Sequence, residues 1–221
     1  MMTMREDARI ALALSGEGVR AAMFHLGVLG RLARGGLLER VTFISTVSGG
    51  SLAVGLVYAL SGGAWPTSAH YMDVVYPRAR QRLTGTNLES AMVAEGVRHP
   101  SLVLNNRARL LSLALQRHWG IRGLVRDLPM VPRWAINATA YESGRSWRFM
   151  PHRMGDYELN YVLNPPIPVA DALAASAGFP LGIGPLALQT RDYQWQKFTN
   201  GSQTERDCVL DVGNGLHASG D

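Results

Sequence analysis

The chain has 221 residues, 47% hydrophobic and 18% charged, which suits one globular domain with a sizeable core. Its net charge of +5 comes from 21 arginines and the single Lys197, spread without a basic block, so it excludes a lysine-rich nucleic-acid tail and suits either solubility or anionic lipid headgroups. The lone Cys208 excludes an internal disulfide and any multi-cysteine metal site. Near the N-terminus only five consecutive apolar residues follow the first charges, too few for a signal-peptide core. The apolar stretch SLAVGLVYAL is about half of what a bilayer span needs. The expectation is a cytoplasmic protein without a transmembrane segment, able to sit at the periphery of a membrane.

Arg9 to Leu14 reads as a short buried strand that ends in the turn SGEG. In VRAAMFHLGVLGRLARGGLLER, helical spacing places Ala22, Leu26, Leu29 and Leu32 or Ala33 on one side, with Gly35 and Gly36 as the stop. The unit then repeats, with VTFIS as a β-branched strand, TVSGG as the turn and SLAVGLVYAL as a mostly apolar helix. Two βα units in the first 63 residues predict an α/β fold with a parallel sheet. Residues 67 to 127 read as a helical insertion or cap, in which MDVVYPRARQRL is interrupted at Pro77. Leu110, Leu111, Leu113 and Leu115 share most of one face of NNRARLLSLALQRHW. WAINATAY and SWRFM alternate in hydrophobicity and predict an antiparallel pair joined through ESGR. VADALAASAGFP reads as a short helix of small residues stopped by Pro180, able to approach its neighbours closely.

The two glycine turns admit three chemistries. Gly16, Gly18 and Ala21 fit GxGxxA, but a dinucleotide site also needs an acid at the end of the second strand, where Ser45, Thr46 and Val47 stand. A Walker phosphate loop needs a lysine that follows neither turn. Acyl transfer needs an exposed nucleophile, a base, and donors aimed at developing negative charge. In ISTVSGGS, a strand-to-helix elbow would lift the Ser48 hydroxyl to the carboxyl edge of the sheet, and Gly49 and Gly50 permit a strained backbone and close approach. The helix that follows directs its positive end at the serine. Thr46 stands where GxSxG has its first glycine, so that motif is matched only in part. SGEGVR offers consecutive backbone N–H groups to the same spot, although either turn alone is equally a plain βα connection.

An α/β-hydrolase triad would place several strands before the elbow, and one precedes it here. His70, His99, His118, His152 and His217 sit in no catalytic pattern, and His25 inside the first helix reads as structural. A carboxylate acting directly on the serine remains, provided the site is dry.

Four pieces in order resemble the patatin-like phospholipase family. LALSGEGVRAAMFHLGVL resembles its glycine-rich oxyanion loop with a basic residue, and ISTVSGGS its nucleophile elbow. INATAYESGRSWRF is similar to a strand pair of bacterial members, and DALAASAGFP to the family's small-residue helix and Phe-Pro turn. The resemblance spans about residues 9 to 185. It implies a single domain over residues 1–221, C-terminally incomplete, with a central, mostly parallel sheet flanked by helices and the elbow after the second strand. The implied activity is a serine lipid acyl hydrolase with a Ser–Asp dyad, needing no cofactor and no metal, and acting on lipid rather than nucleic acid. Ser48 would be the nucleophile; Gly16, Gly18 and Val19 would shape the oxyanion hole, with Arg20 at the basic position. The helical segment would supply apolar walls for an acyl chain.

The departures are specific. Glu17 interrupts the family's run of glycines and Ala21 replaces another. A glutamate at positive φ would cost roughly 1 kcal/mol or more, and its charge would oppose an oxyanion unless it points outward. The family's late DGG or DGA motif is absent. Asp211, in VLDVGNG, is the first choice for the base, delivered by the apolar CVL; Asp221, after LHASG, is the second. The rival readings are a related scaffold that binds lipid without turnover, and a nucleotide-binding βα domain.

Overall fold

Strands β1 (Ile10–Leu14) and β2 (Val41–Thr46) pair in parallel, with Leu14 opposite Thr46, because helix α1 (Gly18–Arg34) carries the chain back between them. These elements belong to a computed structural model that describes residues 8–178, 183–199, 202–207 and 216–219. In α1, Ala22, Leu26, Leu29 and Ala33 form the buried side, as the spacing predicts, and Gly35 ends the helix.

After β2 the chain enters α2 (Gly49–Leu60), buried from Gly49 through Tyr58. A helix that is apolar all round has to be covered on every side. Here β2 lies on one side, and α1, α4 (Tyr76–Gly85) and α8 (Val169–Ala177) pack around the rest. The helical segment runs from α3 (Ser68–His70) through a π-helical turn at Tyr71–Val75 into α4, then α5 (Leu88–Arg98), α6 (Pro100–Asn105) and α7 (Arg107–Ala114). The expected break at Pro77 does not occur: the chain is helical without interruption from Ser68 to Gly85, with a π-helical turn at Tyr71–Val75 just before Pro77 that accommodates it. Leu110, Leu111 and Leu115 are buried as expected, Leu113 is half-buried, and α7 lies against α8. There Asp171 accepts from Arg109 and Ser112, which ties the two helices together.

β3 (Arg133–Ala140) joins β2 in parallel, Thr46 opposite Ile136, and pairs antiparallel with β4 (Ser146–Met150), as predicted for WAINATAY and SWRFM. The sheet then continues through β5 (Arg153–Asp156), β6 (Asn160–Leu163), β8 (Trp195–Thr199) and β9 (Ser202–Asp207). β7 (Leu186–Leu188) pairs with β10 (Leu216–Ser219), and β10 pairs with β3. The expected α/β architecture is present, with helices flanking the sheet and the serine turn after the second strand. Among the described residues its parallel pairings are β1–β2 and β2–β3, while β3 to β6 are joined by short hairpins that cannot hold a crossover, and β8 pairs antiparallel with β6 after α8 and β7. One sheet face, running through Ile44, Trp134, Ile136, Phe149, Met154, Val162 and Trp195, forms the core. Among the described residues, no helix is long and apolar enough to cross a membrane.

Candidate active site

Ser48 sits at the junction of β2 and α2 with φ 50° and ψ −121°. An L-residue holds that backbone only where its surroundings impose it, at a cost of about 1–3 kcal/mol. Three sets of contacts impose it here. The Val47 N–H donates to Leu14 O at 3.1 Å, tying the elbow to β1. The Ser48 N–H donates to both the carbonyl and the hydroxyl oxygen of Ser176 on α8, each at 3.0 Å. Behind it lies a buried hydroxyl chain: Ser176 Oγ is 2.8 Å from Ser51 Oγ, which donates to Thr46 Oγ1 at 2.8 Å. Trp134 Nε1 donates to the same Thr46 oxygen at 2.9 Å. Asn137 Nδ2 donates to Thr46 O at 2.8 Å and Ser45 Oγ at 3.0 Å, closing the network over the end of β2.

Because Ser48 pays this conformational strain and its hydroxyl has no hydrogen bond among the described residues, Ser48→Gly is expected to stabilise the fold by about 1 kcal/mol, while Ser48→Ala leaves the strain in place. Chemical denaturation of the two variants measures the difference. Equal stabilities would mean that the elbow stores no strain.

The turn after β1 meets the elbow closely. A Cβ on Gly16 would lie 2.5 Å from Ser48 Cβ and 3.1 Å from Ser48 Oγ. A Cβ on Gly49 would overlap Gly18 O, and one on Gly50 would come within 2.5 Å of Leu14 O. The pattern of glycines is therefore the pattern of contacts between the two turns. Gly18 also has φ 63°, and α1 has no side-chain cap, so the N–H groups of Gly18, Val19 and Arg20 at its positive end have no acceptor among the described residues. His25 Nε2 donates to Ser15 O at 2.8 Å, so this helix residue holds the turn in place from within α1.

Glu17 has φ 166°, extended backbone that any residue adopts, so the strain considered for it does not arise. Its side chain is 74% exposed and pairs with Arg20 at 2.9 Å, out in solvent. Such an exposed pair contributes about 0–1 kcal/mol. Arg20 thus adjoins the site through its backbone, with its guanidinium turned to Glu17.

The structure brings Gly16, Gly18, Ser48, Gly49 and Gly50 into one cluster, with Val19 and Arg20 in the adjoining helical turn. Both candidate bases, Asp211 and Asp221, lie outside the described residues, as does Pro180. Among the described residues no acid bonds to Ser48, and no group of three His, Cys, Asp or Glu is placed to hold a metal. Sequence reading missed Ser176, Ser51, Asn137 and Trp134. The available signal was a serine set in the otherwise apolar ALAASA helix, since a buried hydroxyl needs partners. Thr46, which counted against the esterase motif, has a role of its own as acceptor for Trp134 and Ser51.

By sequence, no curated protein matches the chain. Among solved structures, human GIVD cytosolic phospholipase A2 in complex with methyl gamma-linolenyl fluorophosphonate matches at TM-score 0.54 and 16% identity, over 98% of this chain and 37% of that one. The same enzyme without the inhibitor matches at 0.53 and 15%, over 78% of this chain and 28% of that one. With inhibitor and terbium chloride it matches at 0.52 and 15%, over 80% and 31%. The chain spans about a third of the length of these structures, and the likeness is one of fold. The family model described as patatin-like phospholipase matches residues 12–201, from β1 through the elbow and α8 to β8, and the chain belongs to that family.

Proposed function

We propose that the protein is a serine lipid acyl hydrolase that cleaves ester bonds of phospholipids or other acyl lipids. The observation that carries this reading is the strained Ser48 backbone, set between two helix N-termini that have no side-chain caps. That arrangement leaves the hydroxyl of the half-buried Ser48 unbonded among the described residues and close to two sets of N–H dipoles, which is what a tetrahedral oxyanion requires. Ser48 Oγ attacks the ester carbonyl, and the open amides at Gly18, Val19 and Arg20 receive the negative charge. The alcohol leaves with the serine proton, and water then attacks the acyl-serine and releases the fatty acid.

The strand geometry favours Asp221 over Asp211 as the base. β3 uses one edge for β4, at Ile136 to Thr139, so both β2 and β10 must lie on its other edge. β2 runs up that edge to Thr46, opposite Ile136, and β10 runs down it to Ser219, opposite Thr139. The two strands point at each other across Asn137 and Ala138. Ser48 follows the end of β2 by two residues, and Asp221 follows the end of β10 by two. That chain order supports Asp221 as the base, although Asp221 itself lies outside the described residues. The reading of a non-catalytic scaffold drew on Glu17 and on the missing DGG motif; the extended backbone and solvent-exposed side chain of Glu17 remove the first of these.

A fluorophosphonate probe tests the proposal. The parent protein is expected to be labelled, and Ser48→Ala to be unlabelled. Asp221→Asn is expected to slow labelling by about 10²–10⁴-fold, as for loss of a general base, with Asp211→Asn close to parent. Labelling of Ser48→Ala would overturn the nucleophile. Loss with Asp211→Asn alone would make Asp211 the base. An unlabelled parent would return the protein to the scaffold reading.

A further inference from the structure

We propose that the knuckle formed by α5 and α6 docks the protein on an anionic phospholipid bilayer. Val93, Val97, Val103 and Leu104 are 68%, 79%, 42% and 88% exposed. Val93 and Val97 are one helical turn apart on α5, and Val103 of α6 packs against Gly96 of α5. Val93, Val97 and Val103 therefore form one aliphatic patch at a helix–helix junction, with the exposed Leu104 next to Val103 in α6. A water-facing patch of this kind is unfavourable unless something covers it.

The charge around the patch selects its occupant. Between Glu95 and Asp127 the chain carries six arginines and no acid. Arg98 and Arg117 both reach the fully buried Glu95 at 3.2 Å, and Arg109 reaches Asp171. Arg107, exposed at the start of α7, has no partner among the described residues. The one exposed acid on α5 is Glu89, at its first turn, away from α6. An aliphatic centre with a cationic rim matches the interface of an anionic bilayer, where the aliphatics enter the acyl boundary and the arginines meet phosphate.

The knuckle is also tied to the site. At its base Asn106 Nδ2 donates to Ala187 O of β7, the partner of β10, and α7 packs on α8, which carries Ser176. Docking through α5 and α6 would bring the bilayer to the helices that frame Ser48. The inference deepens the proposed lipid-ester reading, and it is tested in a Ser48→Ala background, so that failure of hydrolysis leaves binding readable.

Sedimentation of that variant with vesicles is the measurement, using phosphatidylcholine alone and phosphatidylcholine with phosphatidylserine. Binding is expected on the anionic vesicles and to be weak on the neutral ones. Adding Val97→Asp and Leu104→Asp, both at exposed positions, is expected to weaken partition about tenfold or more. Arg107→Gln is expected to weaken it about fivefold at low salt, reducing the anionic preference. Undiminished binding by the aspartate variant would overturn the proposal. So would a dimer, seen by light scattering, that dissociates with the same substitutions and thereby assigns the patch to a second copy. Phe24→Asp is the competing surface, since Phe24 is 68% exposed on α1 beside Arg20 and Arg31. Loss of binding there, with the knuckle variant intact, would move the docking face to α1 and overturn the assignment.

Discussion

Gly49→Ala is expected to abolish Ser48 labelling and to destabilise the fold, although it adds one methyl group. The added Cβ would overlap Gly18 O and stand 3.0 Å from Ala21 Cβ, so the first turn of α1 would have to move away from the elbow. Backbone, unlike the end of a flexible side chain, yields only by shifting the helix behind it. An overpacked contact of this kind costs about 1–3 kcal/mol. The effect on chemistry is larger, because the N–H groups of α1 would be displaced from the serine hydroxyl, and a misplacement of about 1 Å can slow a reaction about 10²-fold. Gly27→Ala is the control: it sits in the same α1, where an added Cβ meets nothing within 4 Å, and helix propensity predicts a gain of up to about 1 kcal/mol. Thermal denaturation and labelling rates of both variants are the measurements. A Gly49→Ala protein labelled at the parent rate would show that the two turns do not act together.

The second large effect is expected from Ser176→Ala. Ser176 is fully buried, and its oxygens hold the Ser48 N–H, so the substitution removes one of two acceptors and leaves Ser51 Oγ without a partner on that side. Leaving a buried polar group short of a bond costs about 1–3 kcal/mol. On the proposed reaction, Ser176 would act through the backbone of Ser48, as a positioning residue. Its loss should therefore lower kcat for ester hydrolysis by about tenfold or more with little change in KM. Ser51→Ala should reproduce part of the loss, and the double variant should fall short of the sum, as expected for one connected network. An unchanged kcat with reduced stability would make Ser176 a packing residue only.

Much of the frame was legible in the chain. The β-branched runs, the 3.6-residue spacing of Ala22, Leu26 and Leu29, and the glycines that stop or turn the chain are local signals, and they placed the first two βα units correctly. The alternation in WAINATAY and SWRFM placed the β3–β4 hairpin for the same reason. Less legible were β5 and β6, four residues each, and β8 and β9, whose sequences WQKFT and SQTERD are mostly polar, so that no apolar or β-branched run marks them. Pro77 was misread as a break because the π-turn before it depends on packing around Tyr71, buried and bonded through its hydroxyl to Leu26 O.

The site divides along the same line. Residue type and spacing were enough to single out Ser48 between small neighbours and to pair it with the glycine turn one unit earlier, since both turns end adjacent strands and a parallel sheet points such turns to one edge. What the tertiary structure alone decided is why each glycine is needed, which comes from the approach of Gly16 to Ser48 and of Gly49 to Gly18 O. It also placed Glu17 in solvent, and it brought Ser176, 128 residues away, onto the Ser48 N–H. These are contacts between segments far apart in the chain, set by how α8 and the two turns pack, and such contacts leave no period in the sequence to read.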